Sequence, residues 1–183
     1  LDSGIPRYFE SDRIQVRGLA IHELCLEPHH WASTMSLDKW LSDEGIPGIY
    51  GIDTRRLTKK LRTKGVMLGI IRVYKEGEEP NLDQLSEEAK TIPDPNLTDL
   101  VGEVALKEPV HYKADGNKAV ALIDCGVKFS IIRNLLKHDV NVVRVPFDFS
   151  DKEIREYKPD GILLSNGPGN PKNCVKTIET VRK

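Results

Sequence analysis

Three strand-length apolar runs, Ala119–Ile123, Val140–Val145 and Gly161–Leu164, constrain this chain more than any other feature. A strand that alternates apolar and polar residues leaves one face to water, whereas a near-continuous apolar run is covered on both faces. Between the first two runs, Ile131, Ile132, Leu135 and Leu136 recur at helical spacing, closing near His138. Between the second and third, Ser150 is placed to cap a short helix reaching Tyr157. This β-α-β-α-β order predicts right-handed crossovers and an open parallel sheet, with ligands bound beyond the carboxyl ends of the strands.

The third run leads into Ser165-Asn166-Gly167-Pro168-Gly169-Asn170-Pro171 and then a Pro-free, helix-patterned segment. Its two glycines permit close backbone approach, and its two prolines supply no N–H. Free amide donors are therefore concentrated at Gly167, Gly169 and Asn170, which makes the turn an anion-binding candidate. A hairpin at Asn166-Gly167 is disfavoured by Pro168 and by the absence of an alternating strand afterwards. The first run ends in a second turn, Asp124-Cys125-Gly126, expected to lie beside it at the same sheet edge.

Cys125 leaves a strand and precedes a helix, a setting that can lower a thiol pKa. No His or acidic partner is within reach by sequence, so a small, buried, inert Cys is the expectation. Cys25, Cys125 and Cys174 are far apart and form no Cys-x-x-Cys pair, so neither a disulfide scaffold nor a metal site is expected. With 27 Lys and Arg against 28 Asp and Glu, no basic surface for nucleic acid or anionic membrane stands out. No segment approaches the roughly 20 apolar residues of a membrane span, and the start lacks a signal-like apolar stretch. A cytoplasmic protein with small, specific ligands is expected.

The first half reads differently. Residues 1–16 are turn-prone, and Ile14 to Glu23 alternate like a half-buried strand with Ile14, Val16, Leu19 and Ile21 inward and a bulge at Gly18. Pro28-His29-His30-Trp31 reads as a polar loop with a packed Trp31, since adjacent histidines diverge too far to share a ligand. Ser33 or Thr34 is placed to cap a helix carrying Met35, Leu37, Trp40 and Leu41. Asp53 to Gly65 is the clearest helix: Asp53 suits the N-cap, Gly65 suits the C-terminal turn, and Leu57 and Leu61 form one apolar stripe among Arg and Lys residues. Arg55 and Arg56 sit where the helix dipole disfavours cations, which suggests acidic groups on a partner or a neighbouring domain. Val66 to Tyr74 is a strand candidate, Leu82 to Lys90 a short helix, and Leu97 to Val101 a short packed segment. Pro109 to Asn117 is polar and turn-forming, and the domain boundary is placed there.

Together these stretches resemble the small, glutamine-hydrolysing subunit of carbamoyl-phosphate synthetase. The residues that carry the resemblance are Phe9-Glu10-Ser11-Asp12 with Gln15-Val16, Gly45-Ile46-Pro47-Gly48 with Ile52-Asp53-Thr54-Arg55-Arg56-Leu57-Thr58, Asp124-Cys125-Gly126-Val127-Lys128, and Leu164 to Pro171. The last motif fits class I glutamine amidotransferases generally, whereas the Gly-Ile-Asp-Thr-Arg stretch points to this family.

The resemblance implies an α/β chain with a family-specific amino-terminal α+β domain over residues 1–113, incomplete at its start. Residues 114–183 would be the first half of a flavodoxin-like, parallel-sheet glutaminase domain, truncated before the nucleophile. In such enzymes a Cys-His-Glu triad attacks the side-chain amide of L-glutamine through a thiolate. A thioester forms, ammonia leaves, and water hydrolyses the thioester. The ammonia passes to a large subunit or fused synthetase domain that makes carbamoyl phosphate from bicarbonate and ATP, for pyrimidine and arginine biosynthesis. ATP and Mg are implied for that partner, and no cofactor for this chain. The same resemblance makes Gly167 N–H the candidate oxyanion donor and Gly169 a substrate contact.

This sequence departs from the family pattern in the site residues it lacks. The Gly-x-Cys-x-Gly elbow and the later His-x-Glu pair are absent, Cys174 precedes the strand that would carry the elbow, and Cys125 occupies a position the family fills variably. A glutamine-contacting serine near the start of the family pattern is also missing. The chain therefore reads as an internal piece with no catalytic residue of its own, expected to hydrolyse no glutamine alone. The rival reading is a non-catalytic amidotransferase-like domain that docks or regulates a partner. A mononucleotide module is less favoured, because no Gly-x-Gly-x-x-Gly or Walker lysine follows a strand.

Overall fold

A computed structural model describes residues 4–183. The chain divides into two compact units, Arg13–Ile92 and Pro93–Lys183, the latter joined by the segment ending at Asp12.

The second unit is built on a four-stranded sheet of β3 (Val110–Tyr112), β4 (Lys118–Asp124), β5 (Val140–Pro146) and β6 (Gly161–Leu164), in the spatial order β3-β5-β4-β6. β4 pairs in parallel with both β5 and β6. Alternation along the strands separates two cores. Ala121, Ile123, Val143 and Val145 face one side with Ile154 of α6 (Asp151–Glu156) and Val101 of α4 (Leu100–Val104). Leu122 and Val142 face the other with Phe129, Ile132 and Leu136 of α5 (Phe129–Lys137). The connections from β4 to β5 and from β5 to β6 run in opposite directions along the sheet, so crossovers of one hand must place α5 and α6 on opposite faces, as observed. The chain reverses direction between β4 and β6, which creates a crevice at their carboxyl ends. The expected parallel α/β architecture is present.

Local chemistry explains the helix ends. Ser150 and Glu153 form a reciprocal capping box at the start of α6. Lys128, at the N-cap of α5, provides no side-chain cap, and the missing acceptor comes from far away in sequence. Glu10 Oε2 accepts from Ser130 N at 2.8 Å, and Glu10 O accepts from Phe129 N at 3.0 Å. Arg133 completes the clasp, donating to Pro6 O and Phe9 O at 2.8 Å and pairing with Glu10 Oε1 at 2.7 Å. Ile5, only 2% exposed, enters the α5-side core. The turn-prone opening of the chain thus becomes part of the second unit.

Four elements there differ from the sequence-based expectation or refine it. Val110 to Tyr112, expected to be turn-forming, is an antiparallel edge strand on β5, because backbone pairing needs no apolar pattern. Asn141 anchors the following linker, accepting from Ala114 N at 3.0 Å and donating to Gly116 O at 2.7 Å. The Leu97 to Val101 stretch splits into a 3₁₀ turn, Pro95–Leu97, and α4, with Leu97 exposed and Val101 buried. After the glycine-proline turn the chain makes a 3₁₀ turn, Pro171–Asn173, before α7 (Val175–Val181).

The first unit has little regular sheet. β1 (Leu19–Ala20) and β2 (Gly48–Ile49) pair in parallel, beside α1 (Leu37–Asp43), α2 (Thr54–Lys64) and α3 (Leu82–Thr91). The strand expected from Ile14 to Glu23 shrinks to two residues, and Val16 is exposed. Gly18 is not a bulge. A Cβ there would meet Ile71 Cδ1 at 3.0 Å, so the glycine serves close packing. Val66 to Tyr74 forms no ladder among the described residues, and Val66 and Val73 are exposed. Apolar β-branched residues make a strand only where a neighbouring backbone supplies hydrogen bonds. Ser36, rather than Ser33 or Thr34, caps α1 by accepting from Lys39 N at 3.2 Å, while Ser33 Oγ donates to Met35 O. Trp31 is not packed but 83% exposed, stacked on His30. α2 has the expected caps, Asp53 Oδ1 accepting from Arg56 N and Gly65 N donating to Leu61 O. Its leucine stripe remains exposed.

The Glu10 clasp has a defined pH signature. Burial alone would raise the Glu10 pKa, but the Ser130 amide and the Arg133 guanidinium outweigh it and hold the carboxyl below its ordinary value. A depressed folded-state pKa adds stability above the unfolded value of about 4.3 and loses it as pH falls through the folded pKa. Glu10→Gln is expected to cost about 0.5–1 kcal/mol at neutral pH, the range of a lost helix cap, with the difference from wild type fading below about pH 4. Urea unfolding at pH 7 and pH 3 measures both.

Candidate functional site

The carboxyl ends of β4 and β6 carry the two turns singled out in the sequence, and they are in contact. Asp124, fully buried at the end of β4, organises the first. Its Oδ1 accepts from Gly126 N at 3.0 Å and Val127 N at 2.8 Å. Its Oδ2 accepts from Leu106 N at 2.8 Å and Arg144 NH2 at 2.7 Å. Four donors occupy this carboxylate, so it is spent on structure and is not available as a base. Arg144, on β5, neutralises it and lies over the Phe129 ring at 5.9 Å. The only sequence hint of this pair is that Arg144 stands between Val143 and Val145 in a mostly apolar strand, since a buried cation requires a partner. Only the register of β4 against β5 identifies which one.

Ser165 joins the two turns. It is 8% exposed, its N–H continues the sheet by donating to Ile123 O at 3.1 Å, and its Oγ accepts from Cys125 N at 2.9 Å. The hydroxyl in turn donates to Asn166 O at 2.9 Å. Sequence reasoning missed this role, because a serine after a strand carries no pattern that distinguishes a brace from a solvated turn residue.

Gly167 and Gly169 lie together on the exposed rim of this edge. Gly167 is required by space: a Cβ would stand 2.0 Å from Cys125 O. Gly169 is required by conformation, with φ of +73° beside Leu100. Across the seam, Gly126 adopts φ of +117°, and a Cβ there would sit 3.2 Å from Pro168 Cδ. Asn170 Oδ1 caps the following 3₁₀ turn by accepting from Lys172 N at 3.1 Å. Among the described residues, no group accepts a hydrogen bond from the amides of Gly167, Gly169 or Asn170. Gly167 and Gly169 line a cleft of about 600 Å³ together with Val101, Cys125, Ser165 and Cys174 among others.

Cys125 is 7% exposed, and its thiol is pushed up to about 11, first by burial and then by the neighbouring Cys174 and Asp124. α5 begins only at Phe129, too late for its N-terminus to offset burial. A thiol in this state is not a nucleophile at neutral pH. Cys174 is also buried and also raised, first by burial. Among the described residues, no group of three or more His, Cys, Asp and Glu side chains is arranged to hold a metal ion. Among the described residues, no helix is long and apolar enough to cross a membrane.

Residues 2–71 match the family model of the carbamoyl-phosphate synthase small chain, CPSase domain, and residues 121–183 match that of glutamine amidotransferase class-I. A carbamoyl phosphate synthase small chain from Archaeoglobus fulgidus is 44% identical over 96% of this chain and 48% of its own length. One from Methanopyrus kandleri is 42% identical over 98% of this chain and 49% of its own length. The chain belongs to the carbamoyl phosphate synthase small-chain family. It spans about half the length of these small chains. It is also 41% identical to a stretch of the multifunctional protein CAD of Squalus acanthias, covering 8% of that protein. In this small-chain sequence the class I amidotransferase match coincides with β4 to α7, which carries both turns.

Gly167→Ala tests the contact between the turns. The added methyl cannot fit against Cys125 O, so the turns must separate, at about 1–3 kcal/mol for an overpacked site. Thermal unfolding of the variant is expected at a lower midpoint than wild type.

Proposed function

We propose that this chain is part of the glutaminase component of a carbamoyl phosphate synthase, supplying ammonia from L-glutamine to a synthetase. The observation that carries this reading is the set of unengaged amides at Gly167, Gly169 and Asn170, on a turn whose two glycines line a cleft at the point where the strand order reverses. Gly167 N–H is assigned as a donor to the oxyanion that forms when a thiolate adds to the glutamine side-chain carbonyl, and Gly169 as a substrate contact. Such donors act because they are aimed before charge develops and cost no reorganisation at that moment. The nucleophile is assigned to the full-length product and not to Cys125, whose thiol is too high and too buried. ATP and Mg belong to the synthetase, whether separate or fused, and the setting is the cytoplasm.

In this reading residues 1–113 form the family-specific domain and residues 114–183 the start of the glutaminase domain. The family matches at 2–71 and 121–183 support the assignment. The segment ending at Asp12 nevertheless folds with the second unit through Ile5, Glu10 and Arg133.

A second reading, docking to a partner without catalysis, is favoured by α2. All six of its charged residues, Arg55, Arg56, Lys59, Lys60, Arg62 and Lys64, are cations and exposed, and none forms an ion pair among the described residues. Arg55 and Arg56 also stand against the helix dipole. An acidic surface on the synthetase would relieve both costs.

Two measurements, glutamine hydrolysis and assembly with the synthetase, test these readings. The full-length gene product with its synthetase is expected to release ammonia from glutamine, and the 183-residue chain alone to release none above background. Gly169→Ala in the full-length product is expected to lower kcat/KM for glutamine about tenfold, from strain of about 1–2 kcal/mol in a left-handed backbone. A full-length product that binds its synthetase yet hydrolyses no glutamine would establish the docking reading instead. The second measurement is charge reversal, Arg55→Glu with Arg56→Glu. Assembly with the synthetase at low salt is expected to weaken while circular dichroism stays unchanged, and unaltered assembly would remove α2 from the interface.

A further inference from the structure

We infer that Ser165 is a positioning residue for the oxyanion site, a latch that fixes the direction of the Gly167 N–H. The inference rests on the glutaminase reading and extends it to a side chain outside the glycine turn. Its basis is the planarity of the peptide bond. Asn166 C=O and Gly167 N–H belong to one trans peptide, so they point in opposite directions and turn together. Ser165 Oγ–H holds that carbonyl at 2.9 Å. The same oxygen accepts from Cys125 N at 2.9 Å, and Ser165 N donates to Ile123 O at 3.1 Å, so the residue is anchored to β4 and to the turn that follows it through two independent bonds. Contact of Gly167 with Cys125 O blocks translation of the turn. What steric contact leaves open is rotation of the Asn166–Gly167 peptide about its flanking bonds, and the hydroxyl closes it. The neighbouring amides of Gly169 and Asn170 have no comparable restraint on the carbonyls that precede them, since those of Pro168 and Gly169 receive no hydrogen bond among the described residues.

An unlatched turn retains the same pocket but presents the donor in the correct direction for only part of the time. Loss of the hydroxyl should therefore depress the chemical step more than substrate binding. In the full-length product with its synthetase, Ser165→Ala is expected to lower kcat for glutamine hydrolysis about tenfold or more, short of the roughly hundredfold or greater loss that removing an oxyanion donor outright causes, with KM changed less than about threefold. Ser165→Thr, which keeps the hydroxyl, is expected to recover most of the rate. In the 183-residue chain, amide hydrogen exchange at Cys125 is expected to accelerate about tenfold or more in Ser165→Ala, because that N–H loses its acceptor. A wild-type kcat in Ser165→Ala would overturn the inference, as would parallel losses in kcat and folded fraction that Ser165→Thr does not repair. If Ser165→Thr fails to fold, unchanged Cys125 exchange in Ser165→Ala overturns it. If the wild-type product releases no ammonia, the glutaminase reading itself fails, and the exchange measurement decides whether the hydroxyl holds the turn.

Discussion

The buried carboxylate of Asp124 is the constraint on which the rest of the site depends. A charge with no exposed surface must have both its formal charge and its lone pairs answered, and Arg144 together with three backbone amides does so. Those amides come from the linker after α4 and from the turn leading to α5, while Arg144 comes from β5. One side chain thereby ties a loop, a turn and a strand to the end of β4. Removal of either partner would leave an uncompensated buried charge, so the register of β4 on β5 and the position of the turn are fixed together.

From that fixed turn the geometry passes to its neighbour by contact. Cys125 offers its N–H to Ser165 Oγ, and its carbonyl lies so close to Gly167 that only hydrogen fits. Two turns separated by 40 residues therefore behave as one surface. Pro168 and Pro171 remove donors from the glycine-rich turn, and Asn170 uses its side chain to cap the next 3₁₀ turn, leaving its own amide free with those of the glycines. The result is a small field of unengaged backbone amides at a sheet's carboxyl edge.

Much of this was legible in the residues. The three apolar runs and the helical spacing between them gave the parallel sheet, because burial on both faces erases alternation. Gly167 and Gly169 stood out because a Gly-Pro-Gly turn after a strand concentrates free amide donors at the sheet's carboxyl edge. Ser165, Arg144 and Glu10 did not stand out. Each acts through a partner distant in sequence, and a hydroxyl, a guanidinium or a carboxylate looks the same in a chain whether it is solvated or bridging. The first unit was least legible: Val66 to Tyr74 has strand-forming residues, yet no described backbone pairs with it. Trp31, read as packed, lies in water.

The sequence by itself determined the class of the fold, the location of the amide-rich turn and the family, since these follow from local pattern and from motifs that are contiguous. Only the tertiary structure decided that Cys125 is a buried, high-pKa thiol, that the amino-terminal segment caps α5, and that Ser165 braces the Gly167 peptide. The physical reason is that burial and hydrogen-bond partnership are properties of pairs of segments, settled by which backbone groups the fold brings within 3 Å of each other.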